Sequence, residues 1–338
     1  MELLSSEPTV YDVAKLANVS AASVTQAFRN PKRVGAKTYE TIILAAKKLG
    51  YIPKQVKKRA AFGSIGLLID QNRGPFGEFY SEIILGILEK AQELKWGISF
   101  ELFDSFKNGY FPPMITEKRV DGILLLSKQE DTYIQRLLKR KVPFCVIDYM
   151  SENVKHPYVR PDWKQGATLA VEYLVKAGHK HIAMIHSSLN KGQASLERVE
   201  GYNEILEKYS LPNISGYLQD GEFNYRIAYR KMKKILASSP RPTAVFCATD
   251  VMAMGAYQAI KAAKLRIPED ISVIGFDNII LPYFMNPLKP ALTTVDGEKR
   301  LLGAKAVELV HSMIVGTATD LYIKTPMQLV HKNSTANL

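Results

Sequence analysis

Cysteine is nearly absent from this sequence. Cys145 and Cys247 are the only two in 338 residues, and each lies inside an apolar run, so they read as buried thiols rather than as a disulfide or a metal pair. Long apolar runs are missing as well. No stretch approaches the roughly 18 apolar residues of a membrane span, and the N-terminus, MELLSSEPT, lacks the basic start and apolar segment of an export signal. No membrane contact is expected, and the cytoplasm is the expected location. Gly-x-Gly-x-x-Gly, the phosphate-binding loop and the Gly-x-Ser-x-Gly elbow are all lacking, so neither enzymatic activity nor a cofactor is expected. His179, His181 and His186 lie along one strand-like run, where ~3.3 Å per extended residue puts the first and last about 20 Å apart, so no metal site is expected.

Acidic residues are scarce at one end of the chain. Residues 1 to 61 hold eleven Lys and Arg against four Asp and Glu, a net +7 of the total +12. Such a concentration of positive charge is the footprint of phosphate-backbone binding, which gains free energy by releasing condensed counterions. A Lys-rich solvated surface is the competing reading. What the chain does have is 46% hydrophobic residues, enough to bury more than one core.

The basic end contains TVYDVAKLANVSAASVTQAFRN, Thr9 to Asn30. Val10, Val13, Ala14 and Ala17 fall at helical spacing, and Thr9 with Asp12 has the form of a capping box. Asn18 can take the left-handed conformation that ends a helix. Ser20 then caps a second helix, Ala21 to Phe28, with Val24, Ala27 and Phe28 inward and Ala22, Ser23, Gln26 and Arg29 outward. Pro31 breaks that helix, and Ile42, Ile43, Ala46 and Leu49 define a third that ends at Gly50. Two helices about a tight turn, the second with a small and polar exposed start, have the shape that enters a DNA major groove. A helical hairpin packed on another part of the chain is the alternative.

Thr9, Asp12-Val13-Ala14, Ala17, Val19-Ser20, Val24-Thr25, Val34 with Thr38, and Leu49-Gly50-Tyr51 with Pro53 form a specific set. On these residues the headpiece resembles the lactose-repressor (LacI/GalR) family of bacterial transcription regulators. The resemblance implies base contacts from Ala21, Ala22, Ser23 and Gln26. The alanines can touch thymine methyls, while the Gln26 amide, where the family has Arg or His, pairs best with adenine. Thr25, Arg29, Lys32, Arg33 and Lys37 are placed to contact phosphates. The next segment, PKQVKKRAAF, corresponds to a hinge that becomes helical on DNA and wedges a leucine into the minor groove. Here the wedge position falls on Ala60, too small to fill an opened base step. Either the hinge kinks DNA less, or Lys54, Lys57, Lys58 and Arg59 hold it through phosphates; a flexible linker is the plain alternative.

From Ser64 the pattern changes. SIGLLID, ISFELF, DGILLL, FCVID, HIAMIH, AVFCAT and SVIGFD are short apolar runs with helical stretches between most of them, which argues for parallel sheets covered on both faces. Val120-Asp121-Gly122, Gly178-His179, Arg198 with Gly201-Tyr202, Asp250 to Gly255, Ile267 to Asp277 and Leu292-Thr293-Thr294-Val295 resemble the periplasmic-binding-protein-like core of the same family. The expected architecture is an all-α helix-turn-helix headpiece (1–52), a hinge (53–62) and an α/β core (63–338) of two doubly wound parallel-sheet subdomains. Their expected extents are 63–160 with 293–320, and 161–292 with 321–338. Pro112 and Pro113 depart from the family by forbidding a full helix between Phe103 and Val120.

In doubly wound folds ligands lie at the carboxyl ends of strands. Asp70, Asp148, Thr249-Asp250 and Asp277 end such runs, the resemblance adds Arg198, and alignment places Phe223 as a flat apolar face. Carboxylates accepting from hydroxyls, a guanidinium fork and an aromatic platform suit a sugar or sugar derivative. Asp250 could instead cap the following helix, and Asp70 could simply end a strand. Gly297 takes a place where the family often has a polar contact.

The resulting expectation is a repressor that binds a near-palindromic operator as a homodimer. A small carbohydrate in the core would couple to DNA through different affinities for two states. A protein co-effector on the core surface is the second reading, and a sugar-transport protein the third, disfavoured because such a protein needs an export signal and no basic headpiece. The C-terminal HKNSTANL has no leucine heptads, so a four-chain bundle is not expected.

Overall fold

The computed structural model describes residues 8–30, 33–51, 63–70, 78–104, 111–187, 192–279 and 288–338. Three helices open the chain: α1 (Val10–Ala17), α2 (Ala21–Arg29) and α3 (Ala36–Leu49). The Thr9–Asp12 box is formed, with the Asp12 carboxylate accepting from the Thr9 N–H at 2.7 Å and the Thr9 hydroxyl accepting from the Asp12 N–H at 3.4 Å. Asn18 ends α1 at φ 52°, and Ser20 caps α2 by accepting from the Ser23 N–H at 3.0 Å. Val13, Ala14, Ala17, Val24, Ala27, Ile42, Ala45 and Ala46 close a small core of their own. Phe28, expected inside, is half-buried and packs by its ring against Tyr51 at 5.9 Å.

The chain divides into two compact units, Met1–Pro75 with Leu85–Val159 and Gly303–Ile323, and Phe76–Ile84 with Arg160–Leu302 and Lys324–Leu338. One sheet takes β1 (Ser64–Asp70), β2 (Gly97–Phe103), β3 (Gly122–Leu126) and β4 (Phe144–Ile147) from the first unit, with β5 (Tyr158–Pro161) and β11 (Tyr322–Thr325), whose last two residues are counted in the second; β1 to β5 pair in parallel, with β11 beside β5. The sheet order is β11-β5-β4-β3-β1-β2. Alongside run α4 (Glu78–Glu93), the four-residue α5 (Pro113–Thr116) and α6 (Asp131–Arg140). Pro113 occupies the first position of α5, where a missing N–H costs nothing, and the short helix buries Met114 and Ile115. One expectation fails in this sheet. ISFELF reads as covered on both faces, yet β2 is the edge strand, and Phe100 and Leu102 are 52% and 63% exposed.

In the second unit, β6 (Ile182–His186), β7 (Leu218–Asp220), β8 (Ala244–Cys247) and β9 (Ser272–Ile274) form a parallel sheet ordered β7-β6-β8-β9. It is flanked by α7 (Trp163–Lys176), α8 (Gln193–Lys208), α9 (Tyr225–Leu236) and α10 (Asp250–Ala262). β10 (Thr294–Asp296) pairs antiparallel with β12 (Gln328–Val330), and α11 (Lys299–Val315) follows β10. Residues 293–302, expected with the first subdomain, therefore belong to the second: Thr293 bridges Ile274 and Thr294 pairs with Val330. Residues 321–323, expected with the second, lie in the first unit, while the start of α4 up to Ile84 and Arg160, expected with the first, lie in the second.

The polar C-terminal segment is built into the second unit. The Val273 N–H donates to Ser334 O at 2.8 Å, the Ser334 hydroxyl donates to Val273 O at 2.6 Å, and the Leu338 N–H reaches Ala177 O at 2.9 Å. His179 is part of this closure. Its ring nitrogens hydrogen-bond Thr243 Oγ1 at 2.9 Å, Ser272 Oγ at 3.1 Å and Ala336 O at 3.2 Å, and burial lowers its pKa. Cys145 and Cys247 are free and buried, and desolvation pushes both thiols up. No helix among the described residues is long and apolar enough to cross a membrane.

Candidate functional site

The headpiece presents α2 by its first turn. Ala22, Thr25 and Arg29 are exposed, while Ala21, Ser23 and Gln26 are half-buried. Ala21 packs against the headpiece core, which turns it partly away from any partner. The Ser23 hydroxyl shares a 2.8 Å hydrogen bond with Ser20, and Thr25 donates to Ala21 O at 3.0 Å. Among the four residues assigned to base contact, Ala22 and Gln26 therefore keep side chains with no such local engagement. Arg33 and Lys37 are exposed at the entry to α3. Gly35 caps that helix without a side-chain bond, so its first-turn N–H groups stay available to an anion. Lys32, and the hinge residues Lys54, Lys57, Lys58, Arg59 and Ala60, lie outside the described residues.

In the second unit, the carboxyl ends of β6 to β9 gather polar groups on one edge of a parallel sheet. Phe223 follows β7, Thr249 and Asp250 follow β8, and Asp277 follows β9; Arg198 projects from α8, the helix after β6. Arg198 and Asp277 meet, with Nη2 donating to Oδ1 at 3.3 Å, and the guanidinium lies 4.3 Å from the centre of the Phe276 ring. Arg198 is only 5% exposed, yet its buried Nε has no partner among the described residues. An unpaired donor there costs about 1–3 kcal/mol unless something accepts from it.

Backbone conformation marks two of these residues. Phe223 and Asp277 have φ of 56° and 97°, in the left-handed region that a side chain enters only under constraint. Strained backbone of this kind concentrates at ligand sites. Asn278 follows at φ 45°, so two consecutive residues are held in that region, and Lys299 is what holds them. Its buried ammonium donates to Asp277 O at 2.6 Å, to Asn278 O at 3.4 Å and to Asp296 Oδ1 at 2.9 Å. Asn278 in turn donates to Asp296 Oδ2 at 3.1 Å and accepts from Lys332 Nζ at 3.3 Å. Burial raises the Asp277 pKa, while Arg198 and Lys299 oppose the shift.

Thr249 and Asp250 take structural positions. The Thr249 hydroxyl caps α10 by accepting from the Met252 N–H at 3.2 Å. Asp250 accepts from the Thr294 hydroxyl at 2.6 Å with one oxygen and from the Ile279 N–H at 2.9 Å with the other. Its own N–H donates to Phe276 O at 2.8 Å, so with Ile279 it holds the chain on both sides of Asp277, and a Cβ at Gly275 would run into its carboxylate. Burial pushes the Asp250 pKa up to about 7, with the hydrogen bond from Thr294 working against the rise. The sequence reading missed Lys299, Asn278, Asp296 and Thr294 as supports of this loop. The lysine within DGEK was the available signal.

In the first unit, Asp70 closes β1 and is 3% exposed. Asp148 follows β4 at φ 61°, half-buried, with its N–H donating to Val159 O at 2.9 Å. These two also occupy carboxyl ends of parallel strands.

Comparison with known proteins supplies the context. Residues 9–54 match the family described as bacterial regulatory proteins, lacI family, and residues 171–335 match the periplasmic binding protein-like domain. The HTH-type transcriptional repressor PurR of Pasteurella multocida (strain Pm70) is 34% identical over 315 residues, covering 90% of this chain and 92% of the relative. A solved complex of the transcriptional regulator CelR with cellobiose superposes with a TM-score of 0.70 at 27% identity, covering 97% of this chain and 99% of that one. The lac repressor dimer bound to operator and the anti-inducer ONPF gives 0.66 at 25% identity, covering 98% and 100%.

Proposed function

The chain belongs to the lacI family of bacterial regulatory proteins, and we propose that it represses transcription as a cytoplasmic homodimer on a near-palindromic operator, under the control of a sugar-type effector bound by its core. It is a regulator and not an enzyme. One observation carries the reading: within the residues that match the family, α2 stands exposed from Ala22 on a basic three-helix headpiece. Ala22 and Gln26 read bases. Arg29, Arg33 and Lys37, with the first turn of α3, grip phosphates. Ala21, Ser23 and Thr25 support that docking from the headpiece side.

Effector contacts in the second unit come from Arg198, Asp277 and Phe223, with Asp250 holding the Asp277 loop and Thr249 capping α10; within the first unit, Asp70 and Asp148 are the strand-end carboxylates. The Arg198 Nε, without a partner among the described residues and held between Asp277 and the Phe276 ring, supports a neutral ligand rich in acceptor oxygens. The exposed Phe100 and Leu102 on β2, and Leu85 and Leu88 on α4, are the apolar surfaces that dimerisation would cover. A protein regulated solely through the core surface is not favoured, because the PurR relative, the CelR complex and the lac repressor complex span this whole architecture.

Selection of the full-length protein on a random duplex pool tests the reading. The expected result is a consensus with twofold symmetry that residues 63–338 alone do not bind. Recovery of no symmetric site, or retention of the site by the core alone, would overturn it.

A further inference from the structure

Charge on the core is not spread over its surface. Beyond residue 61 the chain carries 34 Lys and Arg against 29 Asp and Glu, and α9, Tyr225–Leu236, holds five of those bases and no acid. The rest of the core is therefore neutral in total, and its entire net charge resides in one helix of twelve residues.

The five bases are Arg226, Arg230, Lys231, Lys233 and Lys234, and all but half-buried Lys231 are exposed. Arg226, Arg230, Lys233 and Lys234 follow one another at helical spacing on the side opposite buried Ala228, Met232 and Ile235, a stripe about 12 Å long at 1.5 Å per residue. No carboxylate among the described residues forms an ion pair with any of them; Lys233 lies over the Tyr229 ring at 6.0 Å. The neighbouring helix α10 adds exposed Lys261 and no exposed acid.

Helix electrostatics accounts for part of this pattern only. Lys233 and Lys234 lie in the last turn, where cations are favoured by the macrodipole. Arg226 lies in the first turn, where they are disfavoured, and Arg230 is one turn further on. A local choice that works against the fold without an internal partner points to an external one.

We propose that the exposed face of α9 docks an acidic protein surface. Three features favour that partner over other anions. The apolar side of α9 is already buried in the core, so the helix cannot enter a lipid surface. Asn224 accepts from the Arg226 and Ile227 N–H groups at 2.8 and 3.1 Å, which occupies the backbone donors that a phosphate at a helix N-terminus would take. The side chains left over, Arg226 and Arg230 interleaved with Tyr225 and Tyr229, are the residue types that dominate protein interfaces. Two copies of the face cannot pair with each other, since like charges would meet. The contact acts in addition to the effector and does not replace it.

The test uses the full-length protein already bound to its operator duplex, so that the basic headpieces are occupied, with a fluorescein-labelled poly-glutamate peptide as probe. Arg226→Glu together with Arg230→Glu should weaken peptide binding by about tenfold or more, because attraction becomes repulsion at two positions. Operator affinity and dimer mass by light scattering should be unchanged. Carbodiimide cross-links from the peptide should map to Lys233 and Lys234. Equal peptide affinity for variant and parent, or cross-links that fall elsewhere, would overturn the proposal. So would loss of dimer mass in the variant, which would assign the face to contact between copies. A non-operator duplex that binds the operator complex more tightly than the peptide, with the same dependence on Arg226 and Arg230, would assign it to nucleic acid.

Discussion

Glu197→Gln removes one charge from the most deeply buried ion pair of the second unit. Arg160 and Glu197 have side chains 2% and 8% exposed, and two parallel hydrogen bonds join them, Nη1 to Oε2 at 2.8 Å and Nη2 to Oε1 at 2.7 Å. Arg160 also donates to Pro161 O at 3.1 Å and lies 4.5 Å from the centre of a Trp163 ring. Glutamine keeps the shape and one acceptor but leaves a guanidinium without its counter-charge where water cannot reach it. Removing one partner of such a pair costs about 3–5 kcal/mol, and the retained acceptor puts this variant near the lower bound. With a slope of about 2–3 kcal/mol per molar urea, the unfolding midpoint should fall by about 1 M. Tryptophan fluorescence is the natural readout, because Trp163 is one of two tryptophans and touches Arg160. Arg160→Met with Glu197→Leu should return to within about 1 kcal/mol of the parent, since neither charge is then stranded. A midpoint unchanged in Glu197→Gln, or a double variant as unstable as the single one, would refute the reasoning.

Gln26→Arg should move base preference at one symmetric pair of operator positions from adenine toward guanine by about 1–3 kcal/mol per half-site, read by selection from a random pool; an unchanged consensus would show that Gln26 reads no base. Arg198→Ala should cost about 2–4 kcal/mol of effector affinity by calorimetry, with operator affinity in the absence of effector unchanged; equal titrations would remove Arg198 from the sensor site. Asp250 holds its proton up to about pH 7 in the folded protein, against 3.8 for an ordinary aspartate. Between those values the folded chain binds the proton more tightly than the unfolded one, so stability should decline as pH rises through the window. Asp250→Asn should flatten that slope in urea titrations across pH, leaving the smaller contribution of Asp277, whose pKa moves in the same direction.

The headpiece was legible in the sequence because its determinants are local. Thr9 with Asp12, Asn18, Ser20 and Gly50 each act within a turn of their own position, and the structure uses each as the sequence implies. The seven strand runs were legible for a related reason: a strand buried on both faces must be apolar throughout. Edge position escapes that argument. ISFELF has the composition of an interior strand, and only the sheet order reveals that Phe100 and Leu102 face out. β7, β10 and β12 are three residues long and, unlike the equally short β9 inside SVIGFD, lie in no apolar run that would mark them.

At the proposed effector site the residue types could be read from the sequence and their partners could not. Asp250 and Asp277 both end apolar runs as carboxylates, and nothing local separates them. What separates them is partners drawn from far along the chain. Thr294 is 44 residues from Asp250 and occupies one of its oxygens, while Asp277 faces Arg198, 79 residues away, whose Nε is still open. A carboxylate whose oxygens are both engaged from within the fold holds a loop; one that shares a single 3.3 Å contact with a half-satisfied guanidinium has capacity left for a ligand. The same accounting explains Lys299. Its three short-range acceptors leave it no donor for an effector, so its charge serves to keep Asp277 and Asn278 in a backbone conformation they would not otherwise adopt.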